Sequence, residues 1–290
     1  MSGADLDALV AFAEAVPLGD YPPGLPRQLM AELSRGPDGV WDLRAGDARL
    51  LAVLVERVQV ADGAAILELL AGSGLEAPGA RRALLGLALA RLEGLLGRSR
   101  PVHLPLPPAW RDLDDILKSN DFMFNHLICE MERPEGLPAP AHPELPAGLA
   151  WVEAGEGTYE GYYEALKRAF AGRPDVAFAD FEAWKDMVRA SPITPRLLLR
   201  EGRVLGFVSV ARTGPGVGQV RSIGRDPAFK GAGLGPILLG EALALLHEAG
   251  ATRFTLSVLA TNAAALRLYR DAGFEVQTEV RVFVRPAAPS

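Results

Sequence analysis

From about position 149 the apolar residues switch repeatedly between two spacings. LAWVEA (149–154) alternates, as a strand with one buried face does, and the next two stretches, Thr158 to Ala171 and Asp180 to Ala190, carry the three-to-four spacing of amphipathic helices. Leu197 to Arg200 and Val204 to Ala211 are β-rich runs on either side of Glu201-Gly202-Arg203, a hairpin pattern. Beyond TGPGVG the order continues as a strand over Gln219 to Gly224, a glycine-rich turn and a helix from Pro236 to Ala249. A strand from Arg253 to Leu259, a helix from about Ala263 to Asp271 and a strand from Glu275 to Arg285 complete it. Strands interleaved with helices predict an α/β (α+β) fold.

Part of this pattern occurs twice. LDDILKSNDFMFNHLICEMERP (113–134) aligns with ALRLYRDAGFEVQTEVRVFVRP so that Phe122 meets Phe274 and Arg133-Pro134 meets Arg285-Pro286, each pair 152 positions apart. The same shift lays Pro78-Gly79-Ala80 over Lys230-Gly231-Ala232, and a helix starting near Ala83 over one starting near Gly235. A constant offset across loop, helix and strand points to duplication. Between the copies, Pro138, Pro140, Pro143 and Pro146 break both helix and ladder, so residues 135–148 read as a semi-rigid linker between domains at 1–134 and 149–290. Residues 1–16 look helical, and no strand like LAWVEA precedes the first copy, which is expected to be shorter at its start.

Composition narrows the function classes. With 290 residues, 49% of them apolar, the chain is long enough for two cores. A net charge of −6 gives no general attraction to nucleic acid or anionic lipid, and no apolar run is long enough for a membrane span. Asp5 and Asp7 stand where a secretion signal would be basic, so a cytoplasmic location is expected. One cysteine, Cys129, excludes an internal disulfide, and His103, His126, His142 and His247 lack zinc-binding spacings, so no metal is expected. Cys129 reads as a small buried residue on a strand.

The chemistry-bearing segment is Lys230-Gly231-Ala232-Gly233-Leu234-Gly235, between a strand and a helix. There the first amides of the helix lack intrahelical partners and the dipole favours an anion, while glycines admit a close ligand. A P-loop would need Lys-Ser/Thr after the last glycine, where Pro236-Ile237 stands; a dinucleotide fingerprint would need G-x-G-x-x-G and a later acidic residue.

The loop resembles the R/Q-x-x-G-x-G/A pyrophosphate loop of the GNAT (GCN5-related N-acetyltransferase) superfamily, with Lys230 in place of Arg or Gln. Asp226-Pro227-Ala228-Phe229 is similar to the family's segment before that loop. Asn262 to Phe274 resembles its N-x-x-A-x-x-x-Y-x-x-x-G-F signature. The resemblance implies two tandem GNAT-like domains, each a mixed, mostly antiparallel sheet flanked by helices. It also implies acetyl-coenzyme A as co-substrate and transfer of its acetyl group to a small-molecule or peptide amine at one site in the C-terminal domain.

Residue by residue, the resemblance implies that the amides of Gly231, Ala232, Gly233, Leu234 and Gly235, with Lys230, cradle the pyrophosphate. Backbone groups of Ile223 and Arg225 would pair with the pantetheine arm, Asn262 would bond it, and Tyr269 would protonate the leaving thiolate. Tyr159, Tyr162, Tyr163, Phe178, Phe181 and Trp184 fall where the family shapes its acceptor pocket, a set equally suited to a core. Arg225 replaces an apolar residue, Pro236 lacks an N–H, and Gln219 occupies a place where some relatives carry a catalytic Glu. An amide cannot act as a base, which leaves Glu160, Glu275 and Glu279 as candidates by type. At the same offset the first copy has Arg81 for Gly233, Ala83 for Gly235 and Leu117 for Tyr269, so it reads as degenerate, with Arg81 and Arg82 facing solvent. The competing reading is an acyl-coenzyme A sensor that binds without turnover.

Overall fold

A computed structural model describes residues 40–56, 65–71, 74–106, 108–173, 176, 178–191, 193 and 195–288. The expected helix at 1–16 lies outside the described residues. The chain forms two compact units: residues 1–129 with 278–290, and residues 130–277.

The first unit begins with three antiparallel strands, β1 (Val40–Ala45), β2 (Ala48–Glu56) and β3 (Ala65–Ala71). Helix α1 (Pro78–Leu96) then leads to β4 (Val102–Leu106), which pairs in parallel with β3. A short 3-10 turn (Pro108–Leu113) and helix α2 (Asp114–Ser119) precede β5 (Met123–Arg133). Leu50, Leu67, Leu84, Leu85, Leu89 and Leu104 are almost solvent-free at the centre of this unit's core.

The second unit opens with β6 (Ala150–Glu153), α3 (Tyr159–Ala169) and α4 (Phe181–Ala190). Strands β7 (Arg196–Arg200), β8 (Arg203–Gly214) and β9 (Val217–Arg225) form an antiparallel meander with β6 on its edge. Helix α5 (Leu234–Glu248) crosses to β10 (Arg253–Leu259), parallel to β9, and α6 (Ala263–Asp271) leads to β11 (Glu275–Arg285). The succession β1-β2-β3-α1-β4-α2-β5 therefore has the same order and the same antiparallel-then-parallel pairing as β7-β8-β9-α5-β10-α6-β11.

The last strand of each succession leaves its own unit. Residues 281–285 of β11 pair antiparallel with β4 of the first unit, and the neighbour of β10 on its far side is β5. Glu130 to Arg133 thus pack with the second unit and Thr278 onward with the first. Buried Arg133 donates from Nε to the Ala272 carbonyl at the end of α6, and buried Arg285 donates to the Gly97 carbonyl at the end of α1.

The sequence-derived bounds agree with the structure within about two residues for most strands and helices of the second unit. The first unit differs at the helix start. Pro78 to Ala83, the counterpart of the glycine loop, is wound into the first turns of α1, because Pro78 suits a helix N-terminus. Arg82 is exposed, as expected, whereas Arg81 is half-buried. Arg81 Nη2 lies 3.3 Å from Asp112 and Arg82 Nη2 lies 2.7 Å from Asp115, so surface carboxylates of the same unit pair with both guanidinium groups. Cys129 is buried on β5, as its setting among apolar residues implied.

Candidate active site

Strands β9 and β10 pair only at their starts, Val217 to Gln219 against Arg253 to Thr255. Beyond Gln219, β9 stays paired with β8 as far as Arg225, opposite Gly206. Its other edge therefore runs past the last ladder bond to β10 and offers main-chain groups to an added extended segment. Ile223, opposite Val208, and Arg225 lie on this stretch. The register of β8 and β9 also slips between Ser209 and Val210, leaving Arg221 without an opposite residue, a bulge that bends the strand away.

At the end of β9, Asp226 fixes the turn into the loop. Its carboxylate accepts from the Ala228 amide at 2.9 Å and from Arg203 at 3.0 Å, with Arg168 at 3.3 Å. Burial alone would raise its pKa, but the Ala228 amide and the two guanidinium groups outweigh that and hold the carboxyl below the ordinary range. The chain then passes Lys230, which is exposed, and enters α5 through Gly231 (φ 86) and Gly233 (φ 72). Both lie in the left-handed region that favours glycine. A Cβ built on either would meet no atom within 4 Å, so the loop faces open space.

Gly233 caps α5 without a side-chain hydrogen bond, so the helix's first amides point toward that space, save at Pro236, which has none. Leu234 buries its side chain and offers only its backbone, while Gly235 packs so closely on α6 that a Cβ would sit 3.3 Å from Leu268 Cδ2. The arrangement fits a pyrophosphate held by amides and a helix dipole.

Helix α6 brings two further residues to this unit. Asn262 is its N-cap and accepts from the Ala265 amide at 3.2 Å, which leaves the side-chain NH₂ as the group that can reach a ligand. Tyr269 is 5% exposed, its ring 6.1 Å from that of Phe274. Burial pushes its hydroxyl pKa up to about 12, against a small lowering by Arg173 on the segment after α3. It stays protonated across the physiological range.

The sheet face toward α3 is polar near the β9–β10 split. Ser209 and Ser222 lie opposite each other with their hydroxyls 2.8 Å apart, and Ser222 is hydrogen-bonded to the buried Tyr162 hydroxyl. Gln219 lies opposite Thr255 and accepts from Arg221 at 2.8 Å. Two residues further along β10, Ser257 donates to the carboxylate of buried Glu130 at 2.7 Å.

Residues 159–274 match the family described as Acetyltransferase (GNAT) family. The mycothiol acetyltransferase of Acidimicrobium ferrooxidans is 32% identical over 217 residues, which cover 71% of this chain and 69% of that protein. The chain belongs to the GNAT acetyltransferase family. Against the mycothiol acetyltransferase of Thermobispora bispora, 34% identical, the match spans about half of that relative, 53% of its length. Among solved structures, the GCN5-related N-acetyltransferase from Sphaerobacter thermophilus has a TM-score of 0.74 at 20% identity, covering 100% of this chain and 95% of that one. A tandem GNAT protein from the clavulanic acid biosynthesis pathway has a TM-score of 0.67 at 18% identity, covering 99% and 95%.

Of the residues inferred from the GNAT motifs, Ile223, Arg225 and the loop from Lys230 to Gly235 follow one another directly along the end of β9 and the start of α5. The six aromatic residues once open between pocket and core pack on one another. Trp184 lies 5.3 Å from Tyr162 and 5.1 Å from Tyr163, and all six belong to one apolar cluster. Glu160 and Glu275 are exposed, and Glu279 packs with the other unit. Glu130 escaped the sequence reading because it sits in the first copy, on a strand whose spatial partner no periodicity reveals.

Proposed function

We propose that the chain transfers the acetyl group of acetyl-coenzyme A to the amine of a small molecule, at one site in residues 149–290. The observation that carries this reading is the β9 edge left open beyond Gln219 and running straight into the Gly231–Gly235 loop. A single continuous path thus offers strand-like hydrogen bonds to a pantetheine arm and amides to a pyrophosphate. Asn262 contributes an NH₂ to the arm, and Tyr269, kept protonated by burial, gives its proton to the departing sulfur. A β9 amide at the split serves as the donor to the developing oxyanion. Among the described residues of the first unit, the counterpart of this loop is helical and its arginines are ion-paired, which supports one cofactor per chain.

The relatives named mycothiol acetyltransferase make acetyl transfer involving mycothiol the first acceptor chemistry to try. Gln219, an amide tied to Arg221, favours a second reading, an acyl-coenzyme A sensor without turnover. Release of free coenzyme A thiol from acetyl-coenzyme A, followed with a panel of primary amines, separates the two. Amine-dependent release supports the enzyme, and tight binding with no release across the panel supports the sensor.

A further inference from the structure

We propose that Glu130 is the carboxylate that receives the acceptor amine, holding its ammonium and taking the proton that must leave before the nitrogen can attack. The inference rests on the acetyl-transfer reading above and adds to it the class of acceptor, a primary amine that arrives as a cation.

The placement follows from strand register. Side chains opposite one another across paired strands share a face, as do residues two apart on one strand. Ser209 with Ser222, Ala211 with Gln219, and Gln219 with Thr255 therefore lie on one face, and Ser257 continues it along β10. The β9–β10 ladder ends at Thr255, which is buried; Ser257 is the next residue on this face and is exposed. The face thus opens at Ser257, whose hydroxyl holds the Glu130 carboxylate at 2.7 Å. Where the ladder ends, opposite Thr255, β9 presents the Gln219 amide, already bonded to Arg221, which has no proton-accepting capacity at neutral pH. Glu130, held by Ser257, therefore presents its carboxylate beside this opening, whereas Glu132 two residues on is engaged with Arg253. The charged or titratable groups on the elements packed here include His126 and Glu132 on β5, Arg253 on β10 at 3.7 Å from Glu132, Arg221 on β9 bonded to Gln219, and Tyr162 on α3 bonded to Ser222; Glu130 itself makes contacts besides the one to Ser257.

The proton balance is complete without another reactant. Glu130 takes one proton from the ammonium, and the neutral nitrogen forms its bond to the acetyl carbon. The carbon–sulfur bond then breaks, and the thiolate receives the Tyr269 proton. The second nitrogen proton returns to the Tyr269 oxygen through solvent, and Glu130 releases its proton to bulk water. Ammonium and thioester become amide, thiol and one proton.

The test uses the full chain with acetyl-coenzyme A and a panel of primary amines comprising an amino acid, an aminosugar, a polyamine and a peptide N-terminus. Glu130→Gln keeps the size of the side chain and an oxygen for Ser257. It should lower kcat/KM for the best amine by about 100-fold or more at pH 7, as loss of an acid–base group does, while the Kd of acetyl-coenzyme A stays within about threefold. Without the carboxylate only free amine reacts, so kcat/KM of the variant should climb roughly tenfold per pH unit from 7 to 9, a slope that a merely structural role would not create. Native-like kcat/KM in the variant, or a pH profile parallel to the native one, overturns the proposal. If Glu130→Gln does not fold, Ser257→Ala decides: a raised KM for the amine supports it, and an unchanged KM overturns it. Failure of the native protein to release thiol with any amine removes the acetyl-transfer reading itself, and this inference with it.

Discussion

A Cβ placed on Gly224 would lie 2.3 Å from Cζ of Phe207, the residue directly opposite it across β8 and β9. The ring cannot retreat, since it is fully buried with Tyr162 at 5.3 Å and Phe170 at 5.8 Å. Gly224→Ala should therefore destabilise the chain by about 1–3 kcal/mol, the usual cost of overpacking a core. Because Gly224 stands between Ile223 and Arg225, the displaced strand should also weaken acetyl-coenzyme A binding. Chemical denaturation and calorimetry check both effects, and Phe207→Leu in the same chain should restore part of the stability.

The glycine loop separates backbone strain from charge. At Gly233 the protein leaves room for a side chain but the φ of 72° does not suit one. Gly233→Ala should cost about 1–2 kcal/mol of stability, the penalty of a non-glycine residue in that region. Gly233→Asp adds a negative charge where the pyrophosphate would sit and should abolish binding. Titration calorimetry on the native chain should give one site; two equivalent sites would contradict the single-cofactor reading.

Tyr269→Phe keeps the ring and its packing against Phe274 while removing the hydroxyl. Turnover should fall by about 10²–10⁴, as for loss of a general acid, with acetyl-coenzyme A affinity within about tenfold. Because burial holds the phenol up to about 12, the native rate should show no loss from Tyr269 ionisation below about pH 10. Steady-state rates from pH 6 to 10 provide the check.

His142, in the proline-rich segment, has Nδ1 2.7 Å from Glu241 Oε2 and Nε2 2.9 Å from Glu248 Oε1 on α5, while Arg196 lies 3.2 Å from the other Glu241 oxygen. Hydrogen bonds to Glu241 and then Glu248 raise the imidazole pKa above its ordinary value. A raised folded-state value means the strap contributes fully below the unfolded value of about 6.5 and is lost as pH rises through the folded one. His142→Ala should lower the melting temperature more at pH 6 than at pH 9. The ring is 44% exposed, so solvent screening limits the difference to about 1 kcal/mol.

Much of the second unit was legible because its elements announce themselves locally. Arg253 to Leu259 and Glu275 to Arg285 have the strand bounds that alternation gave, and Asn262 caps α6 where its motif placed it. What the sequence concealed is which strands become neighbours. Alternation tells that Glu130 lies on a strand; it does not tell that the strand leaves the elements before it and lies beside β10. The bulge at Arg221 was equally hidden, since it depends on the β8 partner rather than on β9 alone. The helical winding of Pro78 to Ala83 was missed for another reason: the alignment carried a loop expectation onto residues whose own start signal, Pro78, favours a helix.

The placement of β11 between β4 and β5 sets an order of events during synthesis. At about 5–20 residues per second, Arg285 emerges roughly 10–40 seconds after Leu106, against which residues 281–285 finally pair. Through that interval the edge of β4 has no strand from its own succession in the place β11 will fill, and an open strand edge is a template for wrong partners. The first half of the chain is therefore not a module that matures while the second is being made. It is completed only when residues 281–285 reach β4, and a ribosome that stops short of residue 281 leaves that edge open to wrong partners.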